Sequence, residues 1–150
     1  MVFFIFYFLL ILLYNNDGDN MDILISIKPE YTKLIEQNIK KYEFRTYLIK
    51  DIKTMYVYES NTSKLKYIME IDKIIEYPET IEDNEINKLY NIGEYKYAYH
   101  IDHLYKLVKP ITLTELKSKY KVYAPQKYTL LDNHKDLLSR LKKEDKIKIY

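Results

Sequence analysis

The sequence predicts an α+β fold: a small, partly open β-barrel with short helices capping its ends. Three observations lead there. Short β-branched and aromatic runs recur along the chain with turn residues between them. The helical patterns among them span only two or three turns. The chain has 150 residues and is 47% hydrophobic, enough for one core. Strands that dominate, interrupted by short helices, suit a barrel whose ends are plugged.

The elements follow in order. Ile23 to Lys28 is short, apolar and β-branched, a buried strand. Pro29 opens a helix to about Gln37, with Tyr31, Leu34 and Ile35 at helical spacing. Lys41 to Tyr47 alternates as a strand or extended loop. Ile52 to Glu59 and Leu65 to Tyr77 are longer strands around the turn Ser60-Asn61-Thr62-Ser63. Pro78 to Leu89 reads as an acidic helix with Ile81, Ile86 and Leu89 on its apolar side, ended by Gly93. Glu94 to Val108 returns to strand, with Tyr95, Tyr97, Tyr99 and Ile101 on one face. Thr112 and Glu115 form a capping-box pattern for a helix to about Lys119. Tyr120 to Leu131 is extended. A last helix runs from about Asn133 to Lys143 along the seam Leu137, Leu138, Leu141.

Three segments are expected: an apolar extension over residues 1–20, a domain over 21–132, and a C-terminal helix with a basic tail over 133–150. Val2 to Tyr14 is unbroken apolar sequence, followed by the polar stretch Asn15 to Asn20. Thirteen apolar residues rise about 20 Å as a helix, short of the roughly 30 Å hydrocarbon core. A membrane-proximal anchor, a signal remnant and an extension upstream of a true start at Met21 all fit. The last is favoured because a strand begins directly after Met21. A cytoplasmic protein is expected, membrane-associated if residues 2–14 act as an anchor.

Composition removes several functions. Cysteine is absent, which excludes a disulfide framework, a cysteine nucleophile and a thiolate metal site. The only glycines are Gly18 and Gly93, so no glycine-rich phosphate loop can form. With 24 basic and 22 acidic residues the net charge is +2, unlike a histone-type nucleic-acid binder. Lys, Ile, Tyr and Asn make up 69 of the 150 residues, and Arg45 and Arg140 are the only arginines. That is the bias of an AT-rich genome, so most of the 18 tyrosines are ordinary apolar residues rather than stacking platforms.

The most informative stretch is Ile35 to Arg45, IEQNIKKYEFR. On a strand, Lys41, Glu43 and Arg45 share one face and Lys40, Tyr42 and Phe44 the other. If the strand starts late, Lys40 turns towards Glu43. Such a mixed cluster can hold a phosphate or base edge with its cations and accept from an exocyclic amine with its carboxylate. Routine ion pairs on a solvated strand explain the same spacing. Glu70 lies in the apolar strand YIMEID with Ile68 and Asp72 on its face. Facing a cavity, it would have a raised pKa suited to proton transfer. Facing outward, it would do nothing.

His100 and His103 have helical ligand spacing in a segment that reads as strand, so no metal is expected. His134 reads as a capping or surface residue. The tail Lys135 to Tyr150 carries six basic and three acidic residues and could touch phosphates or simply be solvated. No cofactor is expected.

Several motifs in a fixed order carry a resemblance. Leu24 to Tyr31 (LISIKPEY) opens it, and Asn38 to Arg45 (NIKKYEFR) looks like a GxKxxExR signature. Tyr56 to Ser60 (YVYES), Ile68 to Ile71 (IMEI), Tyr97 to Tyr99 (YAY), Pro110-Ile111 and Ala124 to Tyr128 (APQKY) follow. Together, over about Ile23 to Leu131, the chain resembles the ASCH (activating-signal-cointegrator homology) family of the PUA-like superfamily. The resemblance implies a pseudobarrel whose cleft takes RNA or a modified nucleobase, a single nucleoside included. Lys28, Lys40, Glu43, Arg45, Tyr58, Ser60, Gln126 and Tyr128 are the base-binding candidates it marks, with Tyr58 and Tyr128 for stacking.

Some relatives are amidohydrolases that deacylate a modified cytidine with a lysine, a hydroxyl residue three positions later, and a glutamate on a later strand. Their positions correspond to Lys40, Glu43 and Glu70. A carboxylate at 43 departs from the hydroxyl and cannot serve as that nucleophile, which favours binding over catalysis. Asn38 replaces the signature glycine and tolerates the same positive φ. The expectation is therefore an RNA- or nucleobase-binding domain. The alternatives are a small amidohydrolase using Lys40, Glu43 and Glu70, and a non-catalytic interaction module.

Overall fold

A computed structural model describes residues 2–6 and 20–150 of the chain. Residues 2–6 are helical and exposed. The remainder of the apolar run, and with it most of the reading of residues 1–20, lies outside the described residues. Among the described residues no helix is long and apolar enough to cross a membrane.

Residues 20–150 form a seven-stranded mixed sheet curled into a half-barrel, with several short helices. In chain order the elements are β1 (Met21–Ile27), α1 (Pro29–Glu36), β2 (Tyr42–Arg45), β3 (Ile52–Glu59) and β4 (Lys64–Glu76). Then come α2 (Lys88–Asn91), β5 (Tyr97–Thr112), α3 (Leu113–Tyr120), β6 (Thr129–Leu130), α4 (Lys135–Lys143) and β7 (Lys146–Lys148). A 3₁₀ turn, Leu131–Asn133, links β6 to α4. The strand order is β2-β5-β4-β3-β1-β6, with β7 also paired to β5. Only β1 and β3 run parallel. Their connection carries α1, as a parallel crossover requires.

β5 is the frame of the sheet. Its residues 97–100 pair with β2 and its residues 105–107 with β7, while β4 occupies its other edge. The β4–β5 register shifts three times, twice around Ile71, and each shift bends the strands. Repeated bending turns a long hairpin into a curl.

The central strands β1 and β3 bury both faces. From β1, Ile23, Ile25 and Ile27 enter one core with Met55, Val57, Met69, Tyr99 and Leu104, closed over by Ile35 of α1. Leu24 enters a second core with Tyr56, Ile68, Leu107 and Leu116, covered by Leu137, Leu138 and Leu141 of α4. Two-sided burial explains why β1 reads as a continuous apolar run rather than an alternating one. A third, small cluster joins Phe44, Tyr90 and Ala98.

One expectation is corrected. Residues 78–87 are an irregular loop, and only Lys88–Asn91 is helical. Ile81 and Ile86 are half-buried while Leu89 is 50% exposed, and the loop is pinned by side chains instead of helical hydrogen bonds. Asn91 exchanges hydrogen bonds with the main chain of Ile81, Asn87 donates to the Glu82 carbonyl, and the Tyr90 hydroxyl donates to the Glu79 carbonyl at 2.6 Å. In the segment 133–150 the helix is α4, which covers the second core, and β7 extends the sheet. Ile149 and Tyr150 pack on the first core, and the Tyr150 hydroxyl donates to the Ile35 carbonyl at 2.7 Å. A three-residue strand is too short to stand out in sequence.

Candidate functional site

The end of α1 sets the site. Asn38 has φ 57°, the left-handed conformation that terminates a helix. The amides of Ile39 and Lys40 both donate back to the Leu34 carbonyl, at 2.9 and 3.0 Å. This turn swings the chain so that Lys40 points inwards just before β2 begins. Lys40 is 5% exposed and Glu43 7%. Lys40 Nζ donates to the Tyr42 carbonyl at 2.6 Å and lies 3.8 Å from the centre of the Phe44 ring. A cleft of about 200 Å³ opens there, lined by Tyr31 and Leu34 of α1, Lys40, Glu43, Phe44, Glu85, Ile86, Leu89 and Tyr95.

Electrostatics in the cleft are unequal. Burial holds the Lys40 ammonium below the usual lysine range; Glu43 opposes the shift and Arg45 adds to it. Glu43 Oε1 pairs with Arg45 Nη2 at 3.1 Å, while Glu43 Oε2 is buried with no partner. A buried carboxylate oxygen without a donor is costly, and a ligand donor would relieve it. Aromatic rings surround the pair: Phe44 stacks on Tyr90 at 5.5 Å and on Tyr95 at 5.9 Å, and Tyr31 is exposed at the mouth.

Arg45 carries the site to a second cluster. Its Nη2 also donates to the Ser26 carbonyl at 3.0 Å, and its Nε has no partner. Tyr47 and Tyr128 meet with ring centres 5.7 Å apart, and Lys127 Nζ lies 4.4 Å from the Tyr47 ring. Ser26 Oγ donates to the Pro125 carbonyl at 2.7 Å, which ties the Gln126 loop to β1. Thus Arg45 and Tyr128 lie along one path with Lys40 and Glu43, and Gln126 is exposed beside Tyr128.

The remaining candidates lie elsewhere. Tyr58 is 3% exposed inside the second core, so its ring offers no face to a base. Glu70 pairs in register with Thr54 and His103 and alternates with Met69, placing it on the side of Ile68 and the second core. It does not line the cleft that holds Lys40 and Glu43. Lys28 is exposed at the start of α1, and the Ser60 amide donates to the Ile27 carbonyl at 3.0 Å. His100 pairs with Asp72 and His103 with Asp102. Among the described residues no group of three His, Asp or Glu side chains is arranged to hold a metal ion.

Sequence reasoning missed Tyr31, Tyr95, Glu85, Ile86 and Leu89 as lining residues. Tyr31 and Tyr95 are hidden by tyrosine abundance, and the other three by the helical reading of 78–89. It also missed Glu59, buried where α1 meets the β3–β4 turn. Burial pushes the Glu59 carboxyl up, but hydrogen bonds from Thr32 and Thr62 and the nearby Lys66 bring it below the usual range. Its role there is to anchor α1, the wall of the cleft.

Three solved structures of an ASCH protein from Zymomonas mobilis are similar to this chain over 83–85% of its length. The first is 16% identical over 83% of this chain and 96% of that one, with a TM-score of 0.63. This is an ASCH-like fold. A serine-to-alanine mutant of the Zymomonas protein is 21% identical, covering 85% of this chain and 99% of that one, TM-score 0.62. A tyrosine-to-phenylalanine mutant is 19% identical, covering 83% and 99%, TM-score 0.60. No sequence-family profile matches the chain, and no curated protein matches it. The ASCH-like curl is what brings β2 beside α1 and the 78–95 segment, so the fold itself creates the cleft.

Proposed function

We propose that the chain binds a nucleobase, free or carried in single-stranded RNA, in the cleft between α1, β2 and the loop before α2. The observation that carries this is the unpartnered, buried Glu43 Oε2 beside the Lys40 ammonium. A base edge offers an N–H donor next to a carbonyl or ring-nitrogen acceptor. Glu43 accepts from the first and Lys40 donates to the second. At about 200 Å³ the space is smaller than the roughly 300–1,000 Å³ of drug-sized pockets and suits one planar ring. Tyr31 and Tyr95 offer stacking faces, and Arg45 with the Tyr47–Tyr128–Lys127 cluster is placed to meet the ligand beyond the base. The ASCH-like fold supports a ligand of this class.

Calorimetric titration with a panel of nucleosides and short RNAs at low salt tests the reading. Glu43→Gln keeps the shape but removes the charge. It is expected to cost about 1.5–3 kcal/mol of binding, the worth of a hydrogen bond to a charged group. Absence of binding by every member of the panel, or unchanged affinity in Glu43→Gln, contradicts the proposal.

Hydrolysis of an acylated nucleoside is a second reading, favoured by the lowered pKa of Lys40. A lysine that loses its proton more readily acts as base or nucleophile. Here Glu85, rather than Glu70, is the additional carboxylate lining the cleft.

A further inference from the structure

We infer that the acidic loop before α2 is a charge filter that admits an unphosphorylated nucleoside or base and rejects a phosphate-bearing one. The inference rests on the cleft taking a base and, of the two carriers proposed above, selects the free base or nucleoside over single-stranded RNA. From Glu76 to Tyr95 the chain carries six acids, Glu76, Glu79, Glu82, Asp83, Glu85 and Glu94, against one base, Lys88. This segment supplies one wall of the cleft through Glu85, Ile86, Leu89 and Tyr95. Its earlier part is held close as well. The Glu79 carbonyl accepts from the Tyr90 hydroxyl, and the Tyr90 ring stacks on Phe44, a lining residue. Asp83 and Glu82 are two and three residues from Glu85, within roughly 7–10 Å along the chain. Glu79, Glu82, Asp83 and Glu85 are all exposed.

Among the residues lining the cleft no exposed cation offsets them. Lys40 is the one cation lining the cleft, and it is buried with its ammonium on the Tyr42 carbonyl and the Phe44 ring. Arg45 does not line the cleft, and its Nη2 is held by Glu43 and Ser26. Glu43 Oε2, deep in the cleft, asks for a donor and not for an anion. A phosphate placed outside a bound base therefore meets several carboxylates within about a Debye length, where repulsion is felt at low salt and fades as salt rises. Uncharged ligands feel none of this.

The test uses the full chain and the four common ribonucleosides, each compared with its 5′-monophosphate at about 10 mM and at higher salt. The tightest nucleoside is expected to bind at least roughly 10-fold more tightly than its monophosphate at low salt, with the gap narrowing as salt rises. In the triple variant Glu79→Gln, Glu82→Gln, Asp83→Asn the nucleoside affinity is expected to stay within about 2-fold, because the main-chain anchors of the loop remain. The penalty on the monophosphate should shrink to about 3-fold or less. Nucleoside binding with a monophosphate equally tight or tighter, or a gap unchanged in the variant, overturns the filter and leaves the base reading standing. Failure of every nucleoside and monophosphate to bind overturns both.

Discussion

Tyr99→Phe is expected to destabilise the protein by about 2–4 kcal/mol, although it removes a single oxygen. Tyr99 is fully buried, and its hydroxyl accepts from the Ile49 amide at 2.8 Å and donates to the Tyr47 carbonyl at 2.7 Å. Those main-chain groups belong to the β2–β3 connection, whose Ile49 packs in the first core beside Tyr99. Without the hydroxyl, a buried donor and acceptor are both stranded, at about 1–3 kcal/mol each. Thermal unfolding should show a midpoint lower by roughly 5–10 °C for a chain of this size. A loss below 1 kcal/mol contradicts the assignment.

The same residue gives a pH signature. Burial pushes Tyr56, Tyr99 and Tyr150 each up to about 12. A folded-state pKa above the unfolded value means the native state holds its proton longer, so stability is complete below pH 10 and falls between about 10 and 12. That alkaline fall should be shallower in Tyr99→Phe.

Lys40→Met is expected to weaken base binding at least roughly 10-fold while raising stability at neutral pH by about 0.5–2 kcal/mol. Burial outweighs Glu43 and holds the Lys40 ammonium below its usual range. The charged form is therefore a net cost to the native state at pH 7. Between the lowered pKa and the ordinary lysine value the unfolded chain binds more protons, so this cost fades as pH rises. Methionine keeps most of the apolar stem, removes the cost, and leaves Glu43 its Arg45 partner. A protein that gains stability by losing a buried cation keeps that cation for something other than folding. Loss of stability in the variant, or retention of full binding, contradicts the account.

Much of the architecture was legible because burial writes itself into residue type. β3 was bounded correctly at Ile52 and Glu59, since both of its faces are apolar, and Pro29 marks the start of α1. The N-cap of α3 was readable as well: Thr112 Oγ1 accepts from the Glu115 amide at 3.2 Å, although the Glu115 carboxylate turns away to Lys119 and Arg140. The loop 78–87 was not legible, because Asn87, Tyr90 and Asn91 satisfy its main chain through contacts that have no period. β7 was missed for its length.

In the site, Lys40 and Glu43 stand out in sequence as a compact mixed-charge cluster that resembles a GxKxxExR signature, and Asn38, at the signature glycine, does adopt positive φ. The positions of Tyr58 and Glu70 were not legible. Residues flanking a register shift keep their alternation but change what lies above them, and strand pattern alone does not say which face a cleft opens on.

The central claim is that the Lys40–Glu43 cleft holds a base, and a crystal structure of the chain with its tightest-binding nucleoside tests it most directly. The account predicts the ring between Tyr31, Phe44 and Tyr95, with an N–H within hydrogen-bond distance of Glu43 Oε2 and an acceptor facing Lys40 Nζ. A nucleoside seated on another surface, with Glu43 Oε2 still unpartnered, would contradict it.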